Sequence, residues 1–186
     1  MAIETNILLQ SGTNELEVVE FVLNFAGRSG ALQSQSFGIN VAKVREIIRM
    51  PQLTKMPNLP ECVYGVFNLR NSLISALDLS KYLYNYENRD PNRKMIISEF
   101  NKIRCGFIVN DVHRIHRISW SQIESPDSMH DFDGGNSTII GIIKKEDRTI
   151  LMLDVEKIIA DIDPFKRIND TYGHLKGDEA MCNLIA

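Results

Sequence analysis

Gly38-Ile39-Asn40-Val41-Ala42-Lys43-Val44-Arg45-Glu46-Ile47 and Gly106-Phe107-Ile108-Val109-Asn110-Asp111-Val112-His113-Arg114-Ile115 carry Gly, Val, Val and Ile at the same offsets. Downstream of each copy an apolar run ends in Leu-Asp and enters a short helical pattern: Leu73 to Asp78 then Leu79 to Leu83, and Ile150 to Asp154 then Val155 to Ile159. Asp78 and Asp154 stand where an N-cap belongs, because a carboxylate there takes up the free N–H groups of a first helical turn. The glycines are 68 residues apart and the aspartates 76, far more than one supersecondary unit. The chain therefore reads as two related subdomains and not as a solenoid.

Upstream of the first copy, Phe21, Leu23 and Phe25 alternate with Val22 and Asn24, a period of two that predicts a strand over Val18 to Phe25. Ala26 to Ser36 is polar and reads as a loop, and Phe37 to Ile48 as strand with an embedded turn of helix. Pro51, Pro57 and Pro60 mark a connection that cannot be a central strand, since proline removes a ladder donor. Val63 to Leu79 reads as two strands around a tight turn at Arg70-Asn71. The second half repeats the plan with strands at Lys94 to Phe100 and Arg104 to Trp120, a polar connection from Ser121 to Thr138, and a hairpin of Ile139 to Ile143 and Thr149 to Leu153. Met1 to Asn14 holds a brief amphipathic helix and a turn. Many short, regularly spaced strands with brief helices predict a mainly β chain built from Greek-key barrels.

With 186 residues and 44% hydrophobic content, the chain has room for one ordinary domain or two small barrels sharing a core. A net charge of −3 supplies no basic field for nucleic acid or an anionic membrane, and no apolar run approaches the ~20 residues that span a bilayer. These features point to a cytoplasmic protein without nucleic acid partners or direct membrane insertion. Cys62, Cys105 and Cys182 are scattered, as inert thiols of a reducing compartment are.

Arg70 beside a tight turn reads on residues alone as a surface arginine pairing with a nearby carboxylate, and Asn71 suits a left-handed turn position. His113 and His116, at i and i+3 on a strand, point to opposite faces and cannot share a metal ion unless the backbone bulges. Asp131-Phe132-Asp133-Gly134-Gly135-Asn136 imitates a calcium loop but lacks its position-six Gly and closing Glu, and reads as a solvated turn. No nucleophile elbow, phosphate-cradling loop or Cys-x-x-Cys occurs, so no enzyme activity, cofactor or metal is expected.

The run Phe37 to Ile48, with Pro57, Pro60, Gly65-Val66-Phe67-Asn68-Leu69-Arg70 and Leu77-Asp78-Leu79, resembles the CheW family of bacterial chemotaxis couplers. Ile7 to Glu17 looks most like CheV, whose CheW-like domain is normally followed by a receiver domain; no receiver follows in this sequence. The resemblance implies two five-stranded, SH3-like Greek-key barrels packed side by side with short helices. It implies an adaptor holding the regulatory domain of the histidine kinase CheA against the cytoplasmic tips of chemoreceptors, at arrays beneath the inner membrane. Carried over by position, Val44 and Glu46 match the receptor-facing groove, Gly65, Asn68 and Arg70, with Asn71 beside them, match the turn implicated in coupling, and Gly106 matches a sensitive glycine. The family usually has Gly at 71 and Pro at 75, where this chain has Asn71 and Ser75.

Asp161-Ile162-Asp163-Pro164-Phe165-Lys166-Arg167-Ile168-Asn169-Asp170-Thr171-Tyr172-Gly173-His174, then Gly177-Asp178, resembles the opening of a GGDEF diguanylate cyclase domain. The resemblance implies a metal-binding role for Asp161 and guanine recognition by Asn169 and Asp178, but the Gly-Gly-acid-acid-Phe hairpin never arrives. On the residues themselves Asp163 is an N-cap with Pro164 at the first helical position. The expected division is an N-terminal arm at 1–14, a CheW-like domain of two barrels at 15–163, and a truncated GGDEF-like tail at 164–186. The competing expectation is a cyclase remnant that binds guanine nucleotide through this tail.

Overall fold

In the computed structural model, which describes residues 14–126 and 138–162, the chain runs through β1 (Glu15–Ala26), β2 (Leu32–Asn40), a 3-10 turn (Val41–Lys43), β3 (Val44–Arg49), β4 (Val63–Leu69), β5 (Ser72–Asp78) and α1 (Leu79–Tyr84). It continues through β6 (Lys94–Phe100), β7 (Ile103–Val109), β8 (Asp111–Ser119), a second 3-10 turn (Trp120–Gln122), β9 (Ile123–Glu124), β10 (Ile139–Lys144), β11 (Thr149–Leu153) and α2 (Val155–Asp161). One sheet has the order β8-β1-β2-β11-β10-β9 and the other β3-β6-β7-β5-β4. These are the two expected small sheets, with the two-residue β9 added to the edge of one.

Each copy of the cassette carries the chain from one sheet to the other: β2 to β3 in the first copy, β7 to β8 in the second. The registers repeat accordingly. Gly38 faces Glu20 on an antiparallel neighbour and Met152 on a parallel one, and Gly106 faces Ile97 and Ala76 in the same way. The two halves are therefore interleaved, each sheet taking two strands from one half and its remaining strands from the other. That is a departure from one subdomain per repeat, and its cause is local. The break at Val41–Lys43, and the break at Asn110 inside the stretch expected as a single strand from Arg104 to Trp120, turn the chain out of its sheet.

Among the described residues, the three largest apolar clusters follow from this exchange. Leu16, Val18, Ile118, Ile143, Ile150 and Met152 fill one sheet's own interior, and Phe67, Ile74, Ala76, Met95, Ile97 and Ile108 fill the other's. The largest cluster draws Phe21, Phe37 and Ile39 from one sheet and Leu77, Ile96 and Phe107 from the other, with Val155, Ile158 and Ile159 of α2. Burying this shared surface is what makes two small barrels one folding unit. Both helices start as expected: Asp78 accepts from the Lys81 N–H, and Asp154 from those of Glu156 and Lys157. Burial pushes the Asp78 carboxyl up, against the N–H groups of α1 and Arg93 Nη1 at 3.2 Å.

Two further expectations are corrected. The polar stretch from Ala26 to Ser36 is a loop only from Gly27 to Ala31, because Ala26 closes β1 and Leu32 to Ser36 pair with that strand whatever their polarity. His113 and His116 do not diverge: β8 bulges opposite Glu20, between the pairs Val19↔Ile115 and Phe21↔Val112, and brings both rings to that carboxylate. His116 Nε2 lies 2.7 Å and His113 Nδ1 3.8 Å from Glu20, which is fully buried. Arg148 grips the same carboxylate through Nε at 2.7 Å and Nη2 at 3.2 Å, and Ser36 Oγ donates at 3.0 Å. Burial alone raises its pKa; the hydrogen bonds from Arg148, His116 and Ser36 and the charge of Arg148 reverse that and hold it at about 2. No group of three or more His, Cys, Asp or Glu side chains able to hold a metal occurs among the described residues.

Residues 1–13 of the expected arm, the Asp131 to Asn136 loop, and Asn169, Asp178 and the rest of the tail lie outside the described residues.

Candidate functional site

β3 is an edge strand whose side chains alternate, with Val44, Glu46 and Ile48 half-buried and Arg45, Ile47 and Arg49 exposed. Val44 packs on the shared core, and a register shift between Val44 and Glu46 sets Glu46 opposite Ile97, in line with Ile48 opposite Met95. Across the sheet, Leu69 pairs with Ser72 and leaves Arg70 and Asn71 as a two-residue hairpin loop. Both have positive φ, 50° and 63°, as hairpin turns that match the right-handed twist of the strands require. Asn71 thus keeps the turn that the family usually makes with Gly, while Arg70 bears the left-handed cost of about 1 kcal/mol. Ser75, in place of the family's Pro, is buried in β5 with no hydrogen-bond partner for its hydroxyl among the described residues.

Arg70 Nη2 donates to Glu46 Oε2 at 3.0 Å. The pair links β3, one edge of the five-stranded sheet, to the hairpin that includes β4, the other edge, as a sheet curling into a barrel requires. Asn68 is exposed on the same hairpin. Gly65 supports it from behind with φ +147°: Thr54 and Val66 exchange backbone hydrogen bonds of 2.8 and 2.9 Å, and a Cβ on Gly65 would lie 2.4 Å from the Thr54 carbonyl oxygen. Gly106 is not with them at the surface. It is buried in β7, where a Cβ would meet Met95 Sδ at 2.5 Å.

Sequence reasoning missed a neighbouring charge belt. Glu99 accepts from Arg45 Nη2 at 3.0 Å and from Arg104 Nε at 2.9 Å, and Arg104 Nη1 reaches Ser72 Oγ, next to the turn, at 3.1 Å. Hydrogen bonds from Arg45 and Arg104 hold the Glu99 carboxyl below its usual range. The available signal was the opposite charges of Glu99 and Arg104, which face each other across the β6–β7 hairpin.

Where the edges of the two sheets meet, Ile47, Ile48, Arg49, Lys94 and Val112 line an open groove of about 300 Å³. Ile47 is 43% exposed, and Ile115, its counterpart in the second cassette, 59%.

This fold has relatives. The CheW-like domain family matches residues 30–163. The chain belongs to that family. Chemotaxis protein CheV3 of Helicobacter pylori is 34% identical over 165 residues, covering 86% of this chain but 53% of its own length. Chemotaxis protein CheW of Thermotoga maritima is 27% identical over 154 residues, covering 83% of this chain and 94% of that one. The crystal structure of the scaffolding protein TtCheW from Thermoanaerobacter tengcongensis superposes with a TM-score of 0.61 at 27% identity, covering 75% of this chain and 88% of that one. This chain thus spans about half the length of the CheV3 relative and nearly all of the CheW relative. A second match, to the GGDEF diguanylate cyclase domain, covers residues 147–185. It overlaps the end of the CheW-like domain, and of its three matched site positions only Asp161 is described. Asp161 lies at the end of α2, where its carboxylate accepts from the Tyr82 hydroxyl at 3.4 Å.

No described helix is long and apolar enough to cross a membrane. Cys62 is half-buried, and burial pushes its thiol up; Cys105 is fully buried, and burial pushes its thiol well up.

Proposed function

We propose that this CheW-like domain is a chemotaxis adaptor that couples the cytoplasmic tips of chemoreceptors to the regulatory domain of the histidine kinase CheA, at receptor arrays in the cytoplasm, by binding alone. The observation that carries the reading is the coincidence of family membership with the Glu46–Arg70 pair at the hairpin turn and, further along β3, an open groove lined by Ile47, Ile48, Arg49, Lys94 and Val112. A helical hairpin lays aliphatic side chains into such a groove and reads register from charges at its rim. In this reading Val44 and Glu46 form the receptor side, and Asn68, Arg70 and Asn71 the coupling turn. Gly65 and Gly106 act from within, through the strand positions that their missing side chains allow. The expected division also stands as part of the proposal: an arm at 1–14, the coupling domain at 15–163 and a tail at 164–186. The test is co-sedimentation of the full chain with a receptor cytoplasmic fragment and the CheA regulatory domain. A ternary complex supports the reading; failure of both binary and ternary binding overturns it.

A further inference from the structure

Residues 147–163 are claimed by two families, and one chain can satisfy only one of them at a time. β11 is an interior strand of the six-stranded sheet, parallel to β2 on one side and antiparallel to β10 on the other. Its Leu151 and Leu153 enter the shared core, and α2 adds Val155, Ile158 and Ile159, with Ile162 beyond its end. These four side chains of the α2 region are each less than a tenth exposed. Removing this segment to build a different domain would strip β2 and β10 of a neighbour and open the apolar core that joins the two sheets, at several kcal/mol for each large side chain lost.

We infer that residues 147–162 are committed to the coupling barrel, so that the GGDEF-like sequence in this chain does not assemble a magnesium–guanine nucleotide site around Asp161. Magnesium takes one or two carboxylates together with phosphate and water oxygens, held in near-octahedral geometry. The one described member of the matched set, Asp161, offers an exposed carboxylate already engaged by a hydroxyl of α1. Its position follows the register of α2, whose apolar face is fixed by Val155, Ile158 and Ile159. Carrying the Asp161 backbone into a different domain means unpacking this face.

The test uses the full chain. Its melting temperature and its amide hydrogen exchange are measured with and without GTP and magnesium, for the wild type and for Asp161→Asn. The expected result is no change of midpoint at millimolar GTP and magnesium, unchanged protection of residues 149–161, and identical behaviour of Asp161→Asn. A nucleotide that bound at one hundred times its Kd would add about 2.7 kcal/mol of apparent stability, a shift of several degrees. A nucleotide-dependent shift in either direction that Asp161→Asn abolishes, or loss of protection in β11 and α2 on adding nucleotide, overturns the inference. Neither result bears on receptor binding, so this proposal and the coupling function fail separately.

Discussion

Arg70 and Glu46, 24 residues apart in the chain, meet at 3.0 Å and join a hairpin turn to the opposite edge of its own sheet. Arg70 is 77% exposed, so the pair is weakly stabilising in water, and its value lies in holding the guanidinium at the surface of the turn. Arg70→Glu is expected to leave the circular dichroism spectrum unchanged and move the melting temperature by no more than a few degrees. Binding to receptor or kinase should weaken tenfold or more, about 1.4 kcal/mol, in a titration calorimetry experiment.

Arg70→Gly separates turn strain from charge. Glycine accepts φ 50° without cost, so thermal stability should hold or rise slightly while binding falls as it does for Arg70→Glu. Equal binding by wild type and Arg70→Gly would show that the guanidinium takes no part.

Gly65 and Gly141 occupy corresponding bulges in the two halves, each two residues beyond a strand pair with the leucine of Leu-Asp. A Cβ on Gly65 meets backbone at positive φ, whereas a Cβ on Gly141 meets a side-chain atom, the γ2 methyl of Ile123, at 2.5 Å. Gly65→Ala should therefore cost about 3 kcal/mol in urea unfolding and Gly141→Ala about 1 kcal/mol. Similar costs at the two positions would refute this account of Gly65.

Glu20 gives the domain an acid limb. Its folded pKa of about 2 lies below the ordinary 4.5, so its contribution is fully present above pH 4.5 and is lost as pH falls toward 2. The loss is on the order of 3 kcal/mol. Glu20→Gln should unfold at lower urea at neutral pH, with a visibly shallower decline in stability between pH 5 and pH 2.

The groove prediction is simpler. Ile47→Lys exchanges a half-exposed aliphatic side chain on an edge strand for a charge, so the fold should survive and receptor-fragment binding should fall several-fold in a pull-down. Undiminished binding would move the docking surface away from the groove.

Much of the architecture was legible because backbone chemistry is local. The Leu-Asp signals, the Arg70-Asn71 turn and the proline-marked connection can each be read from a few neighbouring residues, and all stand in the structure. The exchange of halves between sheets was not legible, because strand pairing depends on which distant edge is free and not on any one strand's pattern. Glu20 was hidden for the same reason. Within β1 it is one charged residue among apolar neighbours, and only the bulge in β8 and the approach of Arg148, 128 residues away, show it to be a buried hub. At the candidate site, residue types suggested a carboxylate partner for Arg70, but selecting Glu46 required the curl of the sheet.

Coupling is decided by ternary assembly of the full chain, a receptor cytoplasmic fragment and the CheA regulatory domain, followed by sedimentation, with Arg70→Glu run alongside. Coupling through the Glu46–Arg70 surface predicts a stoichiometric complex with the wild type and its loss or marked weakening with the variant. Assembly of both proteins to the same extent, or of neither, would contradict it.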